Sequence, residues 1–388
     1  MYPNLSYFLH DYFNLPIDSW ASVFKTYGIS LAITFGICSM ILKNELKWRE
    51  IKGLIKPIAE SSLTKWTESI FIVLISAMIG YKMVYIVSNI NAFKINSRDM
   101  ILSWQGSIIG GIFFILCSIC IVYFSHEQPQ NHGKNTTNFY KLNTHMTVFI
   151  IIFALIGTKL FGIFEVDFQE KTVNQIFNES GTNFLGGLFG GLFGGYIFCQ
   201  IYKIPFYNLL DPIAPVMMFG YAMGRLGCHI SGDGCWGIDN NLPTPNWFIF
   251  PNWLWAYNYP HNVVDKGIDI VNTLGTHNKI LEIPVFPTSL YEALFGFTMF
   301  FIFWGIRKKV AKPYLLFTYF LFFMGIERFL IEFIRINNKY YYVGFELSQA
   351  QYISLGLIIV SILSLWRINL TNKNRQNCLI NEFDSSVV

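Results

Sequence analysis

The chain has 388 residues, of which 53% are hydrophobic, 18% aromatic and only 13% charged, with mean hydropathy +0.40. A soluble domain carries roughly a quarter charged residues, so an ordinary soluble globular protein is excluded, and continuous apolar runs of about 20 residues exclude a membrane β-barrel. The formal net charge of +4 is too small for a nucleic-acid-binding surface and suits a membrane protein with basic cytoplasmic loops.

The expected fold class is therefore all-α, a polytopic membrane helical bundle. Met1–Trp20 lacks the basic start and cleavage site of a secretory signal and reads as an aromatic amphipathic stretch at the membrane interface. Nine spans follow, at about 24–42, 68–88, 104–124, 146–164, 183–202, 212–229, 288–306, 313–333 and 349–366. The expected organisation is an outward-facing interfacial segment (1–23), a transmembrane catalytic domain (24–366) and a cytoplasmic tail (367–388). Loops 43–67, 125–145, 203–211, 307–312 and 367–388 hold sixteen Lys and Arg, including Lys56, Lys134 and Arg307, whereas the opposite loops hold seven, including Lys171 and Lys266. The positive-inside rule then puts the N-terminus outside, the C-terminus in the cytoplasm and the loop region 230–287 outward.

Ile79-Gly80-Tyr81-Lys82-Met83 is echoed by Ile156-Gly157-Thr158-Lys159-Leu160, and Gly110-Gly111 by Gly186-Gly187. Two hairpins of like design thus follow one another, since paired glycines let membrane helices pack closely. Lys82 and Lys159 are expected to snorkel to the outer surface. Of seven cysteines, Cys117 and Cys120 read as small core residues. Cys228 and Cys235 flank a Gly-rich strip, and sequence alone leaves their pairing open.

That strip is the most informative stretch: Gly224-Arg225-Leu226-Gly227-Cys228-His229-Ile230-Ser231-Gly232-Asp233-Gly234-Cys235-Trp236-Gly237. A charge at membrane depth is costly and marks function, and glycines let backbone N–H groups approach an anion. Glu327, Arg328, Glu332 and Arg335 close the eighth span. Positions 328, 332 and 335 share one helical face, so Glu332 is expected to pair and orient both arginines. Arg225 and Arg328 are expected to converge on a lipid phosphate, which guanidinium groups bind through two oxygens at once. Intramembrane Arg and Glu also mark translocation paths, so a transporter or flippase for an anionic lipid or solute is the competing reading. No His-Glu-x-x-His pair appears, and neither metal nor cofactor is expected.

Together these motifs resemble the prolipoprotein diacylglyceryl transferases, bacterial enzymes that place diacylglycerol on a lipoprotein-precursor cysteine. The family's Gly-Arg-x-Gly-Asn-Phe-x-Asn-Gly-Glu-x-x-Gly is similar to residues 224–237, and its Arg-x-x-x-Glu-x-x-Arg to Arg328, Glu332 and Arg335. Tyr27-Gly28, Pro287-Thr288-Ser289-Leu290-Tyr291-Glu292 and Leu347-Ser348-Gln349-Ala350-Gln351 resemble three further motifs, in the family's order. The family's His-Gly-Gly-Leu falls on Leu185-Gly186-Gly187-Leu188, so its histidine is a leucine here, and the hairpin at 68–124 is additional to a seven-span pattern.

The resemblance implies a transferase of the bacterial inner membrane, acting as a monomer on phosphatidylglycerol and a prolipoprotein lipobox segment among the membrane lipids. It implies catalytic roles for Arg225 and Arg328, with His229 the first candidate base and His261 the second. Asp233 would orient His229 or hold glycerol hydroxyls. Tyr27, Ser231, Gly232, Gly237, Tyr291, Glu292, Glu332, Arg335, Gly186 and Gly187 would line the substrate site, with backbone N–H groups near Gly232 and Gly237 aiding the phosphate. The aromatic loop with Trp247, Trp253, Trp255, Tyr257 and Tyr259 reads either as a dock for the precursor peptide or as a cap on the membrane.

Overall fold

A computed structural model describes residues 1–55, 58–59, 62–95, 100–101, 103, 105–126, 136–164, 184–271, 275–310, 312–337, 339–342 and 345–386. The expectations for Lys56, Lys134 and Lys171 lie outside these residues. The chain divides into two units, Met1–Ile41 with Tyr207–Val388, and Leu42–Phe206.

In the first unit, helix α1 (Leu5–Phe13) starts where the Asn4 side chain accepts from Ser6 N, and ends at Asn14 in the left-handed region. Leu5 N donates to Phe24 O and Thr26 N to Pro3 O, which ties α1 to the start of α2 (Thr26–Ile51). Tyr27 thereby sits in the first turn of α2. Helix α2 passes into the second unit after Ile41.

The second unit also contains α3 (Ser62–Ser88), α4 (Ile90–Ile95), α5 (Ile108–His126), α6 (Asn143–Phe164) and α7 (Phe184–Ile201), with a two-residue pair β1 (Ile58–Ala59) and β2 (Thr136–Thr137). It holds the two hairpins, α3 against α5 and α6 against α7. A Cβ on Gly80 would lie 2.4 Å from Gly110 O, and one on Gly157 would lie 2.1 Å from Gly186 O. Backbone meets backbone at equivalent places, so the repeat is one of packing, driven by close dispersion contact rather than by hydrophobic burial. The Lys82 ammonium, near the C-terminal end of α3, donates to the carbonyls of Met100 (3.1 Å), Gln105 (2.8 Å) and Ser103 in the stretch between α3 and α5. Cys117 and Cys120 are exposed on α5 rather than in a core, because that helix is apolar around its whole circumference and buries only the glycine side.

The rest of the first unit is built on α8 (Tyr207–Ser231), α9 (Thr288–Ile306), α10 (Leu315–Ile331) and α11 (Gln349–Ser386). Ala214 and Met218 of α8, Met299, Phe300 and Phe303 of α9, and Leu316 and Phe320 of α10 form its buried core. Between α8 and α9 the described residues form short strands β3 (Ile268–Asp269) and β4 (Lys279–Ile280) and a second core of Trp236, Tyr259, Leu281 and Val285. A hairpin of β5 (Lys339–Tyr342) and β6 (Phe345–Ser348) precedes α11.

Among the described residues, four helical segments are long and apolar enough to cross a membrane: Thr26–Ile51, Phe139–Ile163, Thr288–Ile306 and Gln349–Leu370. Ile72–Ser88, Ile108–Ile121 and Gly186–Ile201 are shorter apolar helices. The protein is a multi-pass helical membrane protein. The expected spans at 212–229 and 313–333 coincide with α8 and α10, whose polar residues include Asp211, Arg225, Glu327 and Arg328.

Candidate active site

Three helix ends meet at one carboxylate. Glu292, in the first turns of α9, is fully buried. Arg225 Nε lies 2.6 Å from its Oε2, while Nη1 of Arg328 and Nη1 of Arg335 donate to its Oε1 at 3.0 and 3.1 Å. Arg225 belongs to the last two turns of α8, Arg328 to the last turn of α10, and Arg335 follows a 3₁₀ turn over Glu332–Ile334. Their side chains are only 16%, 24% and 12% exposed.

Arg225 and Arg328 therefore converge. Glu332, however, is not the chief orienting group: it lies 3.3 Å from Arg328 Nη2 and 4.0 Å from Arg335 Nε, and its other oxygen accepts from Asn337 Nδ2. At Glu332 the α-helix gives way to a tighter 3₁₀ turn. Three guanidinium groups thus share the carboxyls of Glu292 and Glu332, with the buried Glu327 carboxyl beside them. The aromatic ring of Tyr221, one helical turn before Arg225, lies 5.4 Å from that guanidinium, and its hydroxyl bonds both oxygens of Glu327 at 3.1 Å. Tyr221 was legible only as an i, i+4 neighbour of Arg225.

The Gly-rich strip is a helix end and turn. Ser231 Oγ donates to Gly227 O at 2.9 Å, so its hydroxyl caps α8 instead of facing a ligand. Gly232 N donates to Cys228 O, and Gly237 N to Phe286 O. These two amides are occupied within the chain, which corrects the expectation that they cradle an anion. Gly232 has φ of +65°, as a helix-ending turn requires. Gly237 is needed for close approach, since a Cβ there would lie 2.5 Å from Ile334 O. Asp233 Oδ1 accepts from Cys235 N at 3.2 Å, a turn-forming contact.

His229 is buried and pairs not with Asp233 but with Tyr259, its Nδ1 lying 3.0 Å from the phenolic oxygen. Tyr259 Oη is in turn 3.4 Å from Ser289 Oγ. Burial pushes the Tyr259 phenol above its ordinary pKa, keeping it protonated. When Tyr259 donates to Ser289, Nδ1 of His229 is the donor to Tyr259 and Nε2 is left as an acceptor. The link of Tyr259 and Ser289 to His229 is not legible in sequence, because neither stands in a pattern with it.

The remaining expected residues divide. Tyr27 borders Gly227, and Ser30 of the same helix donates to Met223 O, so α2 lies along the end of α8. Tyr291 donates to Leu254 O and thus anchors the loop between α8 and α9. His261 Nδ1 is 2.8 Å from His277 O, and its ring packs on Tyr7. Gly186 and Gly187 belong to the second unit, where both pack on α6.

A family model described as "Prolipoprotein diacylglyceryl transferase" matches residues 111–367. A phosphatidylglycerol–prolipoprotein diacylglyceryl transferase of Leptospira interrogans (serovar copenhageni) is 26% identical over 275 residues, covering 58% of this chain and 78% of that protein. The transferase of the same name from Xylella fastidiosa (strain 9a5c) is 29% identical over 246 residues (60% and 78%), and that of Stenotrophomonas maltophilia 30% over 197 residues (48% and 61%). The match takes in Arg225, Glu292, Arg328 and Arg335, and the chain belongs to the prolipoprotein diacylglyceryl transferase family.

Proposed function

We propose that this protein transfers the diacylglyceryl group of phosphatidylglycerol to the thiol of a lipobox cysteine in a prolipoprotein, forming a thioether and releasing glycerol 1-phosphate. The observation that carries the site assignment is the cluster of three guanidinium groups around one buried carboxylate. Guanidinium groups gathered at one point suit the oxygens of a phosphodiester anion.

Arg225 pairs with Glu292 through Nε, so that contact leaves its two terminal nitrogens for phosphate oxygens. The thiolate attacks the glycerol carbon that bears the phosphate ester, and the C–O bond breaks. Charge then accumulates on the departing phosphate, and Arg225 and Arg328, already fixed by Glu292, stabilise it without reorganisation. His229, held by Tyr259, takes the thiol proton at Nε2. Arg335 and Glu332 position Arg328 and one another. The exposed Trp247, Ile249, Phe250 and Trp253 of the outward loop suit an apolar precursor segment at headgroup level.

We extend the reading to a nine-span monomer of the bacterial inner membrane, with 24–366 as the catalytic domain, the N-terminus outside and residues 367–388 in the cytoplasm. The excess of Lys and Arg in alternate loops supports this orientation.

The test is reconstitution with phosphatidylglycerol and a lipobox peptide, following the diacylglyceryl mass gain on its cysteine. Arg225→Ala and Arg328→Ala should each lower turnover by about 10²–10³-fold, with folding checked by melting. Full turnover in both folded variants removes the two arginines from the mechanism. Lipid movement without a thioether product would instead favour a flippase.

A further inference from the structure

We infer that Cys228 and Cys235 are a modification site, forming an intramolecular disulfide that ties the turn at 232–235 to the last turn of α8. Both thiols are free in this structure. The chain nevertheless delivers them to each other: Gly232 N and Asp233 N both donate to Cys228 O, at 3.0 and 3.3 Å. Gly232 and Gly234, with φ of +65° and +88°, complete the reversal. The two sulfurs and a carboxylate oxygen of Asp233 all lie within 4.8 Å of one another. The far side of the turn is held as well, since Thr288 Oγ1 donates to Cys235 O at 3.0 Å and Trp236 is buried.

The two sulfurs are unlike, which sets their order of reaction. Cys228 is buried, whereas Cys235 is partly open. The neighbouring Cys228 thiol holds the Cys235 thiol below its ordinary pKa, and Arg225 acts in the same direction. Cys235 is thus the attacking thiolate and Cys228 the resolving thiol. The oxidant is a disulfide-bearing molecule, small or protein. Cys235 attacks one of its sulfurs, its S–S bond breaks, and a thiolate leaves. Cys228 then passes its proton through Asp233 to the departing thiolates and attacks Cys235 Sγ, releasing the second thiol. Two thiols of this chain are oxidised and one disulfide is reduced to two thiols. With the proposed orientation this end of α8 faces the compartment where disulfides persist. On the proposed transferase reading, the bridge also withdraws two nucleophiles of the acceptor's own chemistry from beside Arg225.

The experiment is thiol trapping on the full chain in detergent. Protein equilibrated with oxidised glutathione is alkylated with N-ethylmaleimide and analysed by peptide mass spectrometry, with and without prior dithiothreitol. The peptide holding both cysteines should carry no adduct and be lighter by two hydrogens before reduction, and carry two adducts after it. Cys228→Ser should leave Cys235 as a mixed disulfide with glutathione, and Cys235→Ser provides the reciprocal variant should the first not fold. Two adducts in the oxidised, still folded protein overturn the inference, as does zinc retained stoichiometrically by the pair. The readout is a thiol mass, so loss of transferase activity would bear only on the function proposed above.

Discussion

Glu292 carries no resemblance to a catalytic acid in its local sequence, yet three cations depend on it. Its carboxylate is fully buried and touches Arg225, Arg328 and Arg335. Replacing a member of a buried ionic cluster strands the others without compensation, which costs about 3–5 kcal/mol. Glu292→Gln should therefore lower stability by that amount in a denaturant or thermal melt of the detergent-solubilised protein. Glu332→Gln should cost less, because Glu332 sits at 3.3 and 4.0 Å from its two arginines. Equal losses in the two variants would mean that Glu292 is not the organising group. Arginine rather than lysine is demanded at 225 because one side of the guanidinium faces Glu292 while the terminal nitrogens stay available.

At the scale of elements, α8 shows why two glycines three residues apart are not equivalent. A Cβ on Gly227 would come within 2.7 Å of Ser30 Oγ and 3.4 Å of Tyr27 on α2, whereas one on Gly224 meets nothing within 4 Å. Gly224→Ala should retain stability or gain up to about 1 kcal/mol of helix propensity. Gly227→Ala should displace α2 and lower the melting temperature. Parallel melts of the two variants decide this, and identical curves would contradict the close approach of α2. The hairpin glycines follow the same logic more severely, because Gly157 and Gly186 meet backbone to backbone, where no side chain can yield. The glycine echo at 80, 110, 157 and 186 was readable in sequence because close helix packing selects for small residues at fixed spacing. The partners of Lys82 are not legible in the same way, because they are backbone carbonyls of the stretch between α3 and α5, which carry no residue signature.

For the whole molecule, the basic loops make one more prediction. A periplasm-active reporter fused after residue 388 should be silent, and a cytoplasm-active reporter at the same site should be active. The opposite pattern would invert the proposed orientation and place the Arg225 end of α8 on the cytoplasmic side.

Composition and apolar runs were enough to establish a helical membrane protein, and the motifs around Arg225 and Arg328 were enough to expect a phosphate-binding pair within a known family. These are properties of segments, written in hydropathy, periodicity and short spacings. Tertiary structure alone decided that Glu292, not Glu332, gathers the arginines, that His229 answers to Tyr259, and that the amides of Gly232 and Gly237 are already bonded within the chain. The physical reason is that helix crossings and the path of the 232–287 chain bring together groups 30 to 106 residues apart, as Tyr259 with His229 and Glu327 with Tyr221. No local spacing encodes such a meeting.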